Sequence, residues 1–233
     1  MKEEKIVLTR VTTPHGELQL QQLAQTDEKG HPVYEVIFNG IFLIASYNKL
    51  SEKAVAALAI EPLVSKRGAL QVLIGGLGIG YSLRAALDYE SVREVDVVEI
   101  DEHIIRWAMG LFRKHNGNAC SDPRVSIIQM DLGDYILQTD KAYDAIIVDV
   151  DNGPTWLALE GNKRLYEGPS LRGFKARLKD RGVLTVWAAQ RSEEFQNRLE
   201  RVFGRAELIT VQDVDGHGRQ IDYFIYRTRW LRD

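Results

Sequence analysis

The stretch Val72-Leu73-Ile74-Gly75-Gly76-Leu77-Gly78-Ile79-Gly80 decides the fold of this 233-residue chain. An aliphatic run passes into four glycines within six positions, and a helical pattern follows over residues 80–88. Glycines at such a junction let the backbone turn tightly and approach a ligand, and the N-terminus of the helix offers unpaired N–H groups. The stretch therefore predicts a strand–loop–helix unit that binds a ligand, although a turn that serves only strand–helix packing is the alternative. The predicted ligand contacts are Gly75, Gly76, Gly78 and Gly80.

The glycine spacing distinguishes between kinds of binding site. A dinucleotide fingerprint G-x-G-x-x-G needs glycine at position 81 or 83, where Tyr81 and Leu83 stand. A phosphate-binding P-loop needs lysine at position 81, so it is excluded for the same reason. The remaining pattern, G-x-G-x-G from Gly76 to Gly80, is the spacing found in proteins that resemble S-adenosylmethionine-dependent enzymes.

Apolar strand patterns alternate with helical patterns from Ala69 onward. Nearly continuous Val/Ile/Leu runs indicate strands that are buried on both faces, and their alternation with helices predicts right-handed βαβ units in a parallel sheet. The last two strand patterns are too close together for a helical crossover, so they predict an antiparallel hairpin. The fold class is therefore α/β, with five parallel strands and a C-terminal hairpin in one seven-stranded sheet. The predicted strands are 70–74, 95–100, 125–129, 144–148, 183–188, 207–214 and 220–227, and the predicted helices are 80–88, 102–114, 132–138, 170–179 and 192–203.

The first part of the chain has a different hydrophobic periodicity. Period-2 alternation and β-branched clusters predict a small antiparallel sheet, and Asn39-Gly40 between apolar flanks predicts a two-residue hairpin turn. Ser51 is the expected N-cap of a helix over 52–60, and Pro62 is expected to follow its end. We predict three segments, which are a small N-terminal β-sheet domain (1–48), a linking helix (49–68) and a nucleotide-binding Rossmann-like domain (69–233).

Composition excludes several classes of protein. The chain has 30 Lys+Arg and 33 Asp+Glu, a net charge of −3, which argues against nucleic-acid binding. No apolar run approaches the ~18 residues that span a bilayer, and the N-terminus carries charges where a signal peptide is apolar, so we expect no membrane partner. The single cysteine, Cys120, cannot form an internal disulfide and fits a cytoplasmic location. The histidines form no H-x-x-x-H or related cluster, so no metal site is expected. These histidines are His15, His31, His103, His115 and His217.

Acidic residues follow the strands of the predicted parallel sheet, beyond whose carboxyl ends ligands bind in open α/β folds. Glu99 stands at the distance from the glycine loop where an acid accepts the hydroxyl hydrogens of a ribose. Asp101 either points the same way or caps the next helix. Asp131 suits an adenine amino group, with an ordinary N-cap as the alternative, and we place Leu132 in the same site.

The fourth parallel strand ends in Asp149-Val150-Asp151-Asn152. In an extended chain Asp149 and Asp151 share a face, where the pair could bind or deprotonate a cationic amine. An Asx-type turn before Pro154 is the alternative. The long loop that follows lies where a lid over donor and acceptor is expected. Its candidate acceptor and lid residues are Asn152, Trp156 and Tyr166, of which the two aromatic residues could instead pack at a core edge.

The order of these motifs resembles the spermidine synthase family of aminopropyltransferases. The residues that carry the resemblance are a small N-terminal β-domain, then VLIGGLGIG, VVEID, the acid of QMDLGDY, YDAIIVDVDNGP and a final hairpin. The chain looks closest to a spermidine-synthase-like group with GGLGxG and DVDNGP motifs. The resemblance implies a Rossmann-like fold similar to class I methyltransferases, decarboxylated S-adenosylmethionine as co-substrate, no metal and a homodimer. By position it implies that Glu99 holds the ribose, that Asp131 holds the adenine, and that Asp149 deprotonates the attacking amine.

The sequence also departs from that family's pattern. Leu77, Gly78 and Ile79 replace the centre of the usual G-G-G-D-G-G loop, so its acid is absent, and Asn152 stands where a second acid helps to hold the amine. Our main hypothesis is a transferase that binds S-adenosylmethionine or its decarboxylated form and moves an aminopropyl group to a small-molecule amine, with Asp149 as general base. A methyltransferase acting on a small nucleophile and a non-catalytic nucleotide-binding protein of the same fold remain open.

Overall fold

The computed structural model of the chain describes residues 5–215 and 218–230, so His217 lies outside the described residues. The first four strands form one antiparallel sheet in the order β1-β2-β3-β4. Asn39 (φ 48°) and Gly40 (φ 80°) form the turn between β3 and β4, which confirms the predicted hairpin. The strands are β1 (Lys5–Thr13), β2 (Gly16–Thr26), β3 (Pro32–Phe38) and β4 (Ile41–Ala45).

The remaining strands form a seven-stranded sheet in the order β10-β11-β9-β8-β5-β6-β7. The first five of them in the sequence pair in parallel, and β11 pairs antiparallel with both β9 and β10. The predicted α/β class and the closing hairpin are therefore confirmed. These strands are β5 (Leu70–Gly75), β6 (Val92–Glu99), β7 (Val125–Gln129), β8 (Tyr143–Val148), β9 (Leu178–Ala188), β10 (Glu207–Val214) and β11 (Gln220–Arg229), and the helices are α1 (Leu50–Val64), α2 (Tyr81–Leu87), α3 (Glu102–Met109), α4 (Leu132–Gln138), α5 (Gly168–Arg177) and α6 (Glu193–Phe203).

Apolar side chains on both faces of the large sheet build the core. Successive strand residues point to opposite faces. Ile74 and Ile147 accordingly join one buried cluster with β2, β3 and α1, while Leu73 and Ile146 join a second cluster with α4, α5 and α6. This double burial explains the continuous aliphatic runs in the sequence. Of the helices in the described ranges, none combines the length and apolar character that a membrane span requires.

The predicted cap of α1 is wrong. The helix begins at Leu50, and the Ser51 side chain caps no backbone group. Instead Oδ2 of Asp213, on β10, accepts the N–H groups of Leu50 (2.8 Å) and Ser51 (2.9 Å) and the Ser51 hydroxyl (3.1 Å). Pro62 lies inside the helix rather than after it. A carboxylate more than 160 positions away thus satisfies the free N–H groups at the start of the helix.

Two further boundaries differ from the prediction by five residues each. The expected helix 102–114 stops at Met109, because Gly110 adopts φ −108° and ψ −91°, and residues 111–114 continue as a 3-10 turn. Strand β9 starts at Leu178 rather than at 183, through an irregular segment in which Arg181 has φ 57°. Helix α1 packs against β8, β9, β10 and β11, so it contributes to the core of the large sheet as well as linking the two sheets. The three-segment division by residue number stays a prediction.

Candidate active site

A cleft with an open volume of about 1040 Å³ lies at the carboxyl ends of β5, β6, β7 and β8. Its opposite wall comes from the N-terminal sheet, through Leu18, Phe38, Leu43 and Ile44. Carboxyl ends of neighbouring parallel strands meet at one edge of a sheet, which is where open α/β folds bind ligands. The cleft therefore lies at the sheet edge where we predicted a binding site. Its apolar second wall was not predicted from the sequence.

The glycine loop contacts the end of β8 backbone to backbone. The N–H of Asp149 donates to the Gly75 carbonyl oxygen (2.8 Å), and Gly76 adopts φ 89°. Gly76 and Gly78 line the cleft, as predicted. Gly75 and Gly80 are not among its lining residues: a Cβ on Gly75 would lie 2.2 Å from Leu132 Cδ2, and Gly80 precedes α2 beside Asn116. Their surroundings indicate packing roles, and their ligand contacts stay a prediction.

Glu99 joins the end of β6 to the glycine loop. Its Oε2 accepts the N–H of Leu77 (2.9 Å), and its Oε1 accepts the N–H of Asp101 (3.0 Å). Burial raises the pKa of Glu99 above its ordinary value, and these N–H bonds oppose that rise. Each carboxylate oxygen has two acceptor positions, so the side chain can still accept hydrogen bonds from a ligand in the cleft that it lines.

Asp101 and Asp131 each cap a helix and also line the cleft. Capping therefore does not remove either residue from the cleft, and a contact with a ligand stays a prediction for both. Asp101 Oδ1 accepts the N–H of His103 (2.8 Å) at the start of α3. Asp131 Oδ1 accepts the N–H of Asp134 (3.0 Å) and pairs with Arg164 Nη2 (2.5 Å). Among the described contacts, both of those made by Asp131 fall on Oδ1, which leaves Oδ2 for a ligand. Leu132, beside it, also lines the cleft.

Asp149 is the acid at the centre of the strand ends. It follows β8 and lines the cleft, and desolvation of its carboxyl group raises its pKa to about 7. The Ser82 hydroxyl is near enough to oppose that rise, but it makes no hydrogen bond of normal geometry in the described structure. A carboxyl group that titrates near neutral pH can take up a proton and release it again under physiological conditions.

Glu52 lines the cleft but was not identified from the sequence. It lies in the first turn of α1, where acidic residues are common because they suit the helix dipole, so its position carries no distinct signal. Burial, followed by the negative charges of Asp149 and Asp213, raises the pKa of Glu52 well above its ordinary value. Ionisation of Glu52 is therefore disfavoured in the empty cleft.

Asp151 organises the loop after β8. Its φ is 61°, so the extended geometry that would place it on one face with Asp149 does not occur. Oδ1 accepts the N–H groups of Asn152 (2.7 Å) and Ala158 (2.6 Å). Oδ2 accepts the N–H of Leu159 (2.9 Å) and the amide of Asn162 (2.9 Å). The carboxylate of Asp151 is therefore engaged on both oxygens by the loop that follows, although the residue lines the cleft.

The other predicted acceptor and lid residues do not line the cleft. Asn152 is buried and donates its side-chain amide to the Phe42 carbonyl oxygen (3.1 Å), which ties the loop to the N-terminal sheet. Tyr166 is buried, and its hydroxyl donates to the Val150 carbonyl oxygen (2.7 Å), so it follows the core-packing alternative. Trp156 is 42% exposed. Ala158, Leu159 and Asn162 supply this part of the wall instead.

The cleft is strongly acidic. Six carboxyl side chains line it, and among the described lining residues there is no Lys or Arg, with His15 as the one side chain able to carry a positive charge. Such a lining favours cationic ligands over anionic ones. Cys120 does not line it, and burial raises the pKa of this thiol to about 11, which disfavours the reactive thiolate. The six acids are Glu52, Glu99, Asp101, Asp131, Asp149 and Asp151.

Comparison with known proteins agrees with this geometry. The family model described as the spermine/spermidine synthase domain matches residues 53–202, which is more than half of the chain. The chain belongs to the spermine/spermidine synthase family. The matched range includes the glycine loop, Glu99, Asp131 and Asp149, whereas the N-terminal sheet and the C-terminal hairpin lie outside it.

Two curated relatives with different named activities are similar to the chain. Polyamine aminopropyltransferase 2 of Ralstonia nicotianae is 32% identical over 135 residues, which cover 57% of this chain and 26% of that protein. Putrescine N-methyltransferase 2 of Nicotiana attenuata is 33% identical over 130 residues, which cover 54% of this chain and 33% of that protein. The chain thus spans about a quarter to a third of the length of these relatives.

A solved structure shares the fold over nearly the whole chain. Spermidine synthase from Thermotoga maritima superposes with a TM-score of 0.74 at 18% sequence identity, covering 97% of this chain and 74% of that one. The N-terminal sheet and the C-terminal hairpin, which lie outside the matched family range, therefore belong to the shared fold.

Proposed function

We propose that the protein transfers an aminopropyl group from decarboxylated S-adenosylmethionine to a small-molecule amine. The observation that carries this proposal is the acidic cleft, in which Asp149 titrates near neutral pH at the carboxyl ends of the parallel strands. The donor is a sulfonium cation and the acceptor an amine, so both reactants suit a lining of carboxyl groups without Lys or Arg among its described members. The similarity to polyamine aminopropyltransferases supports the same reaction.

The adenosine of the donor would occupy the strand-end side of the cleft. Glu99 has acceptor positions for two ribose hydroxyls, and Oδ2 of Asp131 can accept a hydrogen from the adenine amino group. Gly76 and Gly78 let the donor approach the loop backbone, and Leu132 supplies an apolar contact. The cleft also favours the decarboxylated donor, because the carboxylate of S-adenosylmethionine would be repelled by the acids around it.

Asp149 would act as the general base. The nitrogen lone pair of the acceptor attacks the methylene carbon bonded to sulfur, the carbon–sulfur bond breaks, and its electron pair stays on sulfur as a neutral thioether. The proton that the acceptor nitrogen loses passes to Asp149 and then to solvent. A base with a pKa of about 7 is close to the operating pH, which is the condition for efficient general-base catalysis. Holding donor and acceptor together in one cleft would further accelerate the reaction, because the two reactants are already close and oriented.

Glu52 would recognise a second charge on the acceptor. Burial, followed by the negative charges of Asp149 and Asp213, raises the pKa of Glu52 above its ordinary value. An ammonium group beside Glu52 would favour the ionised form and form an ion pair with it. An acceptor with two amino groups therefore suits the cleft better than a monoamine, with one nitrogen at Asp149 and the other at Glu52.

Methyl transfer is the second candidate. The similarity to putrescine N-methyltransferase 2 favours it, because that relative matches the chain as closely in identity as the aminopropyltransferase does. The glycine loop also lacks the family's usual acid, with Gly78 at that position, which removes one group expected to meet the aminopropyl amine of the donor. The same base and the same cationic donor class would serve either reaction.

One experiment separates these candidates. The purified protein is incubated with a diamine and either donor, and the products are identified by mass spectrometry, with Asp149→Asn as the matched control. An aminopropyl adduct from the decarboxylated donor supports the main proposal, and a methyl adduct from S-adenosylmethionine supports the second. Tight nucleotide binding by calorimetry without either product would show a non-catalytic nucleotide-binding protein and overturn both.

We further propose that the protein is a cytoplasmic homodimer. Strand β1 is an edge strand and exposes Ile6 (60%), Val7 (48%) and Leu8 (43%), and natural proteins rarely leave such an apolar edge uncovered. The single cysteine suits a reducing compartment. Light scattering is expected to give twice the chain mass, and Val7→Lys is expected to give the monomer; a monomeric wild type would contradict the dimer.

A further inference from the structure

Two histidines and one aspartate lie together away from the cleft. Asp27 and His31 belong to the turn between β2 and β3, and His115 directly follows the 3-10 turn after α3. One ligand atom from each side chain lies within 4.8 Å of the other two. None of the three is among the cleft-lining residues that the structure describes. The cluster joins the N-terminal sheet to the large α/β unit.

Hydrogen bonds aim one oxygen of Asp27 at the two imidazoles. Oδ1 accepts the N–H groups of Lys29 (2.9 Å) and His31 (2.9 Å), which fixes the carboxylate in the turn. Oδ2 then lies 3.5 Å from His31 Nδ1 and 3.9 Å from His115 Nδ1. One oxygen is thus used to hold the turn, and the other is presented to the histidines.

The tautomer of His115 is set by its neighbours. Nε2 donates to the Pro32 carbonyl oxygen (3.0 Å), so Nδ1 carries the lone pair of the neutral ring. The Tyr81 hydroxyl lies 3.4 Å from Nδ1, but it donates its proton to the Ser46 carbonyl oxygen (2.7 Å). Among the described residues, the Nδ1 lone pair of this side chain, which is 1% exposed, therefore receives no proton from a neighbour. A carbonyl that orients the far nitrogen of a histidine is the usual support for a metal ligand.

We propose that Asp27, His31 and His115 bind a zinc ion, with water as the fourth ligand. Two imidazole nitrogens and one carboxylate oxygen form a ligand set that Zn²⁺ takes, and its bond lengths place tetrahedral ligands about 3.3 Å apart. The separations of 3.5 and 3.9 Å are close to that value, and small side-chain rotations bring the set together. This site runs against our expectation from the sequence, because the two histidines lie far apart along the chain.

Lys49 competes for the same carboxylate oxygen. Its Nζ lies 3.4 Å from Asp27 Oδ2, where it supplies the positive charge that a metal would supply. The Lys49 side chain is 33% exposed, so it can turn into solvent when a metal binds. Removing this amine is therefore expected to strengthen metal binding. If the three side chains form only an ionic cluster that binds no metal, the same change would produce no metal affinity.

The test is zinc titration of the full chain after treatment with a chelator. Uptake of Zn²⁺ in competition with a coloured chelator is expected to give one ion per chain, and Co²⁺ is expected to give the visible spectrum of a tetrahedral site. His31→Gln and Asp27→Asn should each weaken binding at least tenfold, while Lys49→Met should strengthen it. Asp27→Asn keeps an acceptor at Oδ1, so the turn can still form.

The matched control is His103→Gln. His103 Nδ1 lies 3.2 Å from Asp101, but no third ligand accompanies this pair in the described structure, so its loss should leave zinc affinity unchanged. Bound zinc should also raise the melting temperature of the wild type but not of His31→Gln. Absence of stoichiometric uptake by the wild type, or equal affinity in the wild type, His31→Gln and Asp27→Asn, would overturn the proposal and leave a hydrogen-bonded ionic cluster.

Discussion

The carbonyl oxygen of Asp149 lies so close to Gly76 that a Cβ at position 76 would come within 2.1 Å of it. The glycine loop and the end of the strand that carries the proposed base are thus in direct backbone contact. Gly76 also has φ 89°, a conformation that side chains with a Cβ rarely adopt. The position of the base therefore depends on the absence of a side chain at residue 76.

Gly76→Ala is expected to lower the free energy of unfolding by about 3 kcal/mol and to abolish nucleotide binding, because strain and a backbone clash act together. Urea denaturation and calorimetry measure the two effects. The control is Gly78→Ala, whose Cβ would meet Ile44 Cδ1 at 3.9 Å, an ordinary contact. Its destabilisation should be near 1 kcal/mol, and equal losses in both variants would contradict the clash.

Asp149→Asn is expected to lower kcat by about 10²–10⁴-fold with little change in nucleotide affinity, since it removes a general base and keeps the side-chain shape. In the wild type, kcat/KM should rise with pH up to about 7 and then level off, because the base must be ionised. Steady-state kinetics from pH 5 to 9, roughly, would reveal this limb. A limb that persists unchanged in Asp149→Asn would assign the titration to another group.

The raised pKa of Asp149 also predicts a pH-dependent stability difference. Its pKa in the folded protein is about 7, against 3.8 ordinarily, so the folded state binds this proton more tightly than the unfolded state. The resulting stability is fully present below about pH 4 and is lost as the pH rises through 7. Asp149→Asn lacks this loss, so its gain in melting temperature over the wild type should be larger at pH 8 than at pH 5.

Calorimetric melting of both proteins at the two pH values measures that difference. Ser82→Ala serves as a second variant, because Ser82 lowers the pKa of Asp149 and its removal should move the transition to higher pH. A gain for Asp149→Asn that does not vary with pH would show that Asp149 titrates near its ordinary value.

Asp213→Ala is expected to lower the free energy of unfolding by about 2–3 kcal/mol. The change leaves the N–H groups of Leu50 and Ser51 without their acceptor inside the protein. Asp222→Ala, at the exposed register partner of Gln212 on the same hairpin, should stay within about 0.5 kcal/mol of the wild type. Urea denaturation compares them, and equal effects would show that the cap contributes nothing.

The large sheet was predictable from sequence because strands buried on both faces need nearly continuous aliphatic residues. VLI before the glycine loop and AIIV before Asp149 satisfy that requirement locally. Asp101 and Asp131 were predictable to the same degree, since capping residues lie next to the helices they cap. Strand β9 was predicted too short, because its irregular start around Arg181 breaks the periodic pattern.

The features that the sequence did not predict depend on contacts between distant parts of the chain. The cap on α1 comes from Asp213, and the high pKa of Glu52 arises from burial and from two acids on other elements. Asp151 follows a strand, but its positive φ turns the carboxylate to the loop that follows. No local pattern records which residues a tertiary fold will bring together, so these features appear only in three dimensions.

The hydrogen bonds between Asp213 and the start of α1 affect the order in which parts of the fold can form during translation. Helix α1 leaves the ribosome early, yet the carboxylate that caps it is supplied by β10, which emerges about 160 residues later. Glu52, in the first turn of that helix, cannot be fixed in its acidic surroundings before the C-terminal hairpin has paired with β9. A nascent chain would therefore contain the strands around the glycine loop well before the acidic lining of the cleft is complete.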